Sequence, residues 1–191
     1  MLTTTLNRIR DHGPCAPGWE KLLSHLGKTK ADDEPLGFDV IIKSNGLMDA
    51  LWCLRAEPSH QKEYRLLAVS YARDVEHLME DKRSIKCLDV AERFANGQAT
   101  AEELEKARFA ACCAADAAYD AAYDTAFTAG AANAAYAAAS AARAADAAYA
   151  ARAANAAYAA AYAASAKKEF LAKQEQRFVA MIESLGGMNE F

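Results

Sequence analysis

Apolar residues recur at the three-and-four spacing of an α-helix over most of this chain, and no run alternates apolar with polar residues for long enough to predict a strand. The clearest stripe runs from Gln61 to Met79. Its core-facing members are Tyr64, Leu67, Ala68, Tyr71, Val75, Leu78 and Met79. The segment from Ser84 to Ala95 repeats the pattern and stops at Asn96-Gly97. The pattern therefore predicts an all-α fold.

Shorter helices are predicted in the first sixty residues. They cover Thr3 to Asp11, Pro17 to Leu26 and Leu47 to Arg55, each with apolar residues at helical spacing. Gly27 follows the second segment directly and is expected to end that helix. The segment from Leu36 to Ile42 fits either a helix or a strand.

The strongest boundary signal is Thr100-Ala-Glu-Glu103, which has the sequence of a capping box. In such a box the Thr hydroxyl and the Glu carboxylate satisfy free amide groups at a helix start. Alanine is the best helix former, and no glycine or proline occurs between this box and Gly130. We therefore predict one helix from Ala101 to about Thr128.

The next stretch, Ala131 to Leu185, contains neither glycine nor proline. A single helix of that length would extend roughly 80 Å at about 1.5 Å per residue, which is too long for a compact domain. The stretch therefore either projects or breaks at a residue that favours helix caps. We expect at least one break, with Asp146 and Asn155 as the candidates.

The end of the chain regains an amphipathic stripe, whose apolar members are Phe170, Leu171, Phe178, Ile182 and Leu185. Such a stripe needs a partner surface, and we expect it to pack on the N-terminal helices. The expected architecture is a helical bundle or an irregular array of α-hairpins. Residues 1–99 would form an N-terminal part and residues 100–191 an Ala-rich part of one continuous domain.

Alanine is concentrated in one half of the chain. By count 48 of the 191 residues are alanine, and 37 of these lie between Ala101 and Ala166. Buried apolar area stabilises a fold by roughly 25 cal/mol per Å², and an alanine buries little of it. Small side chains instead let helices approach closely, so we expect closely packed Ala-rich helices. Asn133 to Ser140 and Asn155 to Tyr162 are near copies and form an internal repeat.

Charge and cysteine usage exclude several classes of protein. A net charge of −4 and a pI near 5.6, without a long basic cluster, argue against nucleic-acid binding. The five cysteines are odd in number and mostly have apolar neighbours, which predicts reduced thiols in the cytoplasm. The first residues lack a secretory pattern. A membrane-length window around the charge-free run from Thr125 to Ala142 contains Asp124 or Arg143, and a window further along contains Asp146 and Arg152, so no membrane span is expected.

An acidic and aromatic stripe is the candidate binding site. Three aspartates, Asp116, Asp120 and Asp124, repeat every four residues beside the aromatic residues Tyr119, Tyr123 and Phe127. One interpretation is a solvated edge bordering a packed aromatic row. The other is a partner-binding face, because tyrosine is enriched at interfaces and the carboxylates could meet a basic target. Like charges at this spacing cost about a few tenths of a kcal/mol each, which weakly favours a use.

No other constellation predicts catalysis, a metal or a cofactor. The side chains of Cys112 and Cys113 point about 100° apart on a helix and have no histidine at ligand spacing. Asp32-Asp33-Glu34 lacks the alternation of a calcium loop and is interpreted as a solvated loop. Neither a glycine-rich phosphate loop nor a nucleophile elbow is present in the sequence.

Several segments are specific enough to suggest a family. They are Leu2 to Cys15, Leu26 to Leu36, Asn45 to Arg55, Ala91 to Arg93 and Asn96 to Leu104, followed by the Ala-rich tail. Together they resemble the immunity-protein family of bacterial polymorphic toxin systems, whose members also occur in phages and prophages. The resemblance covers most of the chain and implies no catalytic residue.

The resemblance implies a small, non-enzymatic, cytoplasmic protein that binds and neutralises a toxin. One alternative is a phage-encoded inhibitor of a host defence system, such as CRISPR-Cas or restriction. Another is a structural or ice-binding Ala-rich protein, although the residues between the alanines spiral around the helix rather than form a flat face. Association between copies of the chain stays open, because Ala-faced helices can pair within a chain or between chains.

Overall fold

The computed structural model describes residues 1–121, 126–143 and 167–187. The described chain is all-α apart from one pair of two-residue strands, as the sequence predicts. Its contacts form two compact units. Unit 1 contains Met1–Ser59 and the C-terminal helix from Glu175 onward, and unit 2 contains the described residues of His60–Gln174.

Unit 1 begins with strand β1 (Thr3–Thr4), helix α1 (Leu6–Asp11) and helix α2 (Ala16–Leu26). Strand β2 (Leu36–Gly37) pairs antiparallel with β1 and leads into α3 (Phe38–Asn45). The ambiguous segment at Leu36 therefore starts as a strand and continues as a helix. The helix α4 (Leu47–Cys53) follows and ends in a 3-10 turn, Leu54–Ala56.

Local signals set several of these boundaries. The Thr5 hydroxyl accepts a hydrogen bond from the Arg8 amide at the start of α1. Gly27 ends α2 in the left-handed conformation with φ +64°, which a glycine adopts without strain, as the sequence predicts. Gly46 has φ +90° and makes the sharp turn from α3 into α4.

Large side chains fill the core of unit 1, with contributions from α9 (Lys167–Gly187). Its fully buried members are Leu6, Ile9, Phe38, Ile41, Leu51, Leu54, Phe178, Ile182 and Leu185. The rings of Phe38 and Phe178 meet edge to face at 6.4 Å. The Leu2 amide donates a hydrogen bond to the Ile182 carbonyl at 2.8 Å. Three members of the C-terminal apolar stripe are therefore buried against the first sixty residues.

Unit 2 contains α5 (Gln61–Arg73), α6 (Lys82–Ala95), α7 (Ala101–Ala121) and α8 (Ala126–Arg143). α8 packs against α5, α6 and α7. Alanines from Ala134 to Ala142 are buried on successive sides of α8, each no more than 4% exposed. Small side chains let this helix lie among three neighbours at close range.

The capping box at the start of α7 is confirmed in both directions. The Thr100 amide donates to Glu103 Oε2 at 2.7 Å, and the Glu103 amide donates to Thr100 Oγ1 at 3.1 Å. The bond from the Thr100 amide lowers the pKa of the Glu103 carboxyl, because it stabilises the charged form. The start of the Ala-rich half therefore lies where the sequence predicts it.

The single helix predicted from Ala101 to Thr128 is wrong. Residues 126–128 belong to α8, which packs against α7 and does not continue it. The Tyr136 hydroxyl donates to Asp116 Oδ1 at 2.7 Å, because α7 and α8 pack against each other. Gly130, expected to break a helix, lies inside α8. The expected break points Asp146 and Asn155 lie outside the described residues.

The stripe from Gln61 to Met79 is not one helix either. α5 ends at Arg73, and a 3-10 turn covers Glu76–Leu78. The Arg73 guanidinium donates to Glu76 in this turn and to Asp89 and Glu92 on α6. These bonds between neighbouring segments fix the turn that the apolar spacing alone does not reveal.

Candidate functional site

The outer side of α7 carries an exposed aromatic residue, Phe109. Its relative exposure is 64%, whereas Ala111, Ala114 and Ala115 on the same helix are buried. Two positions along an α-helix correspond to about 200° of rotation, so Phe109 lies opposite Ala111. Among the residues whose burial the structure describes, Phe109 and Met1 are the exposed large apolar side chains.

Acidic residues follow Phe109 along the same side of α7. Glu102, Glu105 and Asp116 lie seven before, four before and seven after it, the spacings at which helical residues share a face. All three are exposed. We call these residues with Phe109 the α7 face.

Two basic residues lie beside the α7 face, and both are paired. Lys106 Nζ lies 2.7 Å from Glu102 Oε1, and the Arg108 guanidinium binds Glu105. The bond to Glu105 raises the pKa of Arg108, whose side chain is only 14% exposed. Asp116 has no cationic partner among the described residues and is bound by the Tyr136 hydroxyl. Two of the three carboxylates of the α7 face are therefore paired with cations of the same helix, and Asp116 leaves the face with a net charge of about −1.

The structure places the five predicted partner-binding residues as follows. Asp116 is exposed on the α7 face, where the Tyr136 hydroxyl holds its carboxylate. The backbones of Tyr119 and Asp120 lie in the last turn of α7. Tyr123 and Asp124 lie outside the described residues.

No sequence motif marks Phe109, although its helical spacing identifies it as an exposed aromatic residue. The buried stripe of α7 passes through Ala111, Ala114 and Ala115, and Phe109 falls outside it. A large aromatic residue off the apolar stripe of an amphipathic helix is the signal. The many alanines further along the chain make this signal hard to recognise in the sequence.

The cysteines of unit 2 have packing roles. Cys87 is buried, and its thiol contacts the Ala138 carbonyl at 3.7 Å. Burial raises the pKa of Cys87 to about 12, so it stays protonated at neutral pH. Cys112 and Cys113 are half-buried in α7. In the described ranges no three His, Cys, Asp or Glu residues converge as a metal site.

The acidic loop at residues 32–34 binds a lysine of the same chain. Lys28 Nζ donates to Asp32 Oδ2 and Glu34 Oε2, each at 2.6 Å. These bonds raise the pKa of Lys28, and the bond from Lys28 lowers that of Asp32. Its carboxylates therefore serve an internal ion pair on the surface of unit 1.

None of the helices in the described part of the chain has the length and apolar character needed to cross a lipid bilayer. Comparisons of this chain with models of known families, with curated proteins and with solved structures gave no match.

Proposed function

We propose that this chain is a non-enzymatic, cytoplasmic inhibitor that binds a protein partner through the α7 face, as an immunity protein neutralises a toxin. The partner presents a basic surface around an apolar depression. Exposed Phe109, bordered by Glu102, Glu105 and Asp116, is the observation that supports this proposal.

An aromatic side chain in water at the centre of a charged face is suited to act as an anchor. Binding would transfer the Phe109 ring from water into the partner, and a few such anchors supply most of the binding energy at an interface. The surrounding carboxylates would accelerate encounter with a basic partner and exclude acidic ones. Tyr136 would hold Asp116 in place before binding, which reduces the entropy lost on association.

The test is affinity capture from bacterial lysate with the full chain and three variants, followed by titration of the purified partner. Phe109→Ala removes the anchor, and Asp116→Asn removes one charge while keeping an oxygen that can accept from Tyr136. Lys86→Ala alters an exposed residue of α6 and serves as the matched control.

We expect a one-to-one complex. Its dissociation constant should rise about 30-fold or more with Phe109→Ala and should change by less than about twofold with Lys86→Ala. Asp116→Asn is expected to slow association, since charges at an interface rim act mainly on the association rate. Adding the chain should abolish the partner's activity. A stoichiometric complex that tolerates Phe109→Ala, or no such complex at all, contradicts the proposal. The partner's own activity distinguishes a toxin from a defence component.

A further inference from the structure

Unit 1 contains a pocket between α1, α2, α3 and α4 that is separate from the α7 face. Its cavity volume is about 80 Å³, which suits a small ligand rather than a drug-sized one. Its walls are mainly apolar and include the only two tryptophans of the chain, Trp19 and Trp52. The remaining apolar walls come from Ile9, Leu22 and Ile41.

One charged residue, Asp49, lines this pocket. It lies in the first turn of α4. Asn45 Nδ2 donates to Asp49 Oδ2 at 2.9 Å and to the Gly18 carbonyl at 2.8 Å, and the Ser44 hydroxyl donates to Asn45 Oδ1. The carboxylate is therefore oriented by a hydrogen-bonded amide that also contacts α2.

Asp49 forms no salt bridge within the described residues. None of the lining residues is basic, and no described ion pair includes Asp49. The nearest arginine in sequence, Arg55, stacks over the Trp52 ring at 4.0 Å and donates to the Trp52 carbonyl. Trp52 thus already contacts one cation through its π face.

Gly18 keeps the space beside Asp49 open. A Cβ atom at this position would lie 3.0 Å from Asp49 Oδ2 and 3.1 Å from Cys15 Sγ. Both groups line the pocket, so any larger residue at position 18 would crowd its polar edge. The missing side chain leaves the carboxylate and the exposed Cys15 thiol accessible from the same space.

We propose that this pocket binds a small organic ammonium ion. Indole rings attract cations, and Trp19 lines the pocket together with Trp52, of which Arg55 occupies one π face; the oriented carboxylate supplies the opposite charge. The apolar walls fit the alkyl groups of such an ion. A neutral ligand of the same shape would leave Asp49 without an ionic partner, and an anion would be repelled by it.

The test uses the tryptophans as reporters, because both line the pocket. The full chain is titrated with choline and, separately, with 3,3-dimethylbutan-1-ol, which has the same shape but no charge, at constant ionic strength. We expect a saturable change of tryptophan emission with choline. The neutral alcohol should bind at least about tenfold more weakly than choline. Equal binding of the two compounds, or no saturable change with choline, overturns the proposal.

Variants assign the preference to Asp49. Asp49→Asn keeps the shape and an oxygen that can accept from Asn45, and it should reduce choline affinity about tenfold while leaving the affinity for the neutral alcohol unchanged. Glu20→Gln removes the same charge from an exposed position next to Trp19 and should leave affinity within about twofold. If Asp49→Asn retains the preference for choline, the assignment is wrong.

Cys15 gives a second, independent location of the ligand. Cys15 is exposed on the rim of the pocket. The other cysteine that lines the pocket, Cys53, is buried, and this burial raises the pKa of its thiol to about 12. Saturating choline should slow the alkylation of Cys15 by iodoacetamide, and peptide mass spectrometry measures the rate of this alkylation. Unchanged alkylation of Cys15 under saturating choline places any binding elsewhere and overturns the proposal.

Discussion

The cores of the two units are both helical, yet they are built from side chains of different size. In unit 1 aromatic and branched residues, such as Phe38, Ile41 and Phe178, are completely buried. In unit 2 the seven alanines between Ala134 and Ala142 bury α8 among three other helices. Burial is equally complete in the two places, but the apolar area removed from water per residue is not.

This difference separates two ways of stabilising a helix. A large buried side chain contributes mainly through the apolar area it removes from water, so its truncation is costly. An alanine contributes little area, but it permits close approach and many short-range contacts between helices. The core of unit 1 should therefore be sensitive to smaller side chains, and α8 should be sensitive to larger ones.

The largest effect is expected from Phe178→Ala in unit 1. Removing a completely buried ring should lower the free energy of unfolding by about 3 to 5 kcal/mol. The measurement is chemical denaturation followed by tryptophan emission, which reports unit 1, and by far-ultraviolet circular dichroism, which reports the helices of both units. Phe109→Ala is the matched control, since this ring is 64% exposed, and it should change stability by less than about 0.5 kcal/mol. Equal losses in the two variants would contradict the description of the unit 1 core.

The reverse substitution tests α8. Ala138 is fully buried, and its carbonyl contacts the Cys87 thiol, so Ala138→Leu has to displace neighbouring helices. We expect a loss of about 1 to 3 kcal/mol, measured by thermal denaturation followed by far-ultraviolet circular dichroism. The same change at exposed Ala117 on α7 should stay within about 0.5 kcal/mol. A neutral or stabilising Ala138→Leu would show unfilled space beside α8.

A smaller effect is expected at the boundary where the Ala-rich half begins. Thr100→Ala removes the oxygen that accepts from the Glu103 amide and should cost about 1 kcal/mol. Thr100→Ser keeps the hydroxyl and should restore most of that loss in the same denaturation experiment. If alanine and serine behave alike at position 100, the capping box contributes nothing to stability.

Features encoded in a few neighbouring residues could be predicted from the sequence. Thr100 and Glu103 form the expected reciprocal bonds, and Gly27 ends α2. The packing of α8 against α7 could not be predicted in this way. Alanine favours helix throughout that region, and the arrangement depends on packing between segments such as those carrying Asp116 and Tyr136.

The candidate sites show the same limit. The sequence suggests Asp116 as a candidate partner-binding residue, because its acidic stripe is visible there. The exposure of Phe109 instead depends on which side of α7 is buried. The pocket in unit 1 combines residues of four helices, and its polar edge depends on Asn45 reaching Gly18, 27 positions earlier. No local motif records such a convergence.

The composition of unit 1 has a consequence for the order in which the chain folds. Its two segments, Met1–Ser59 and the helix from Glu175, are separated by the 115 residues of His60–Gln174. During synthesis the N-terminal helices emerge first, but Phe178, Ile182 and Leu185 reach them only after all of unit 2 has been translated. At about 5 to 20 residues per second, the exposed face of the nascent unit waits roughly 6 to 23 seconds. This interval is when ribosome-associated chaperones would have their longest access to it.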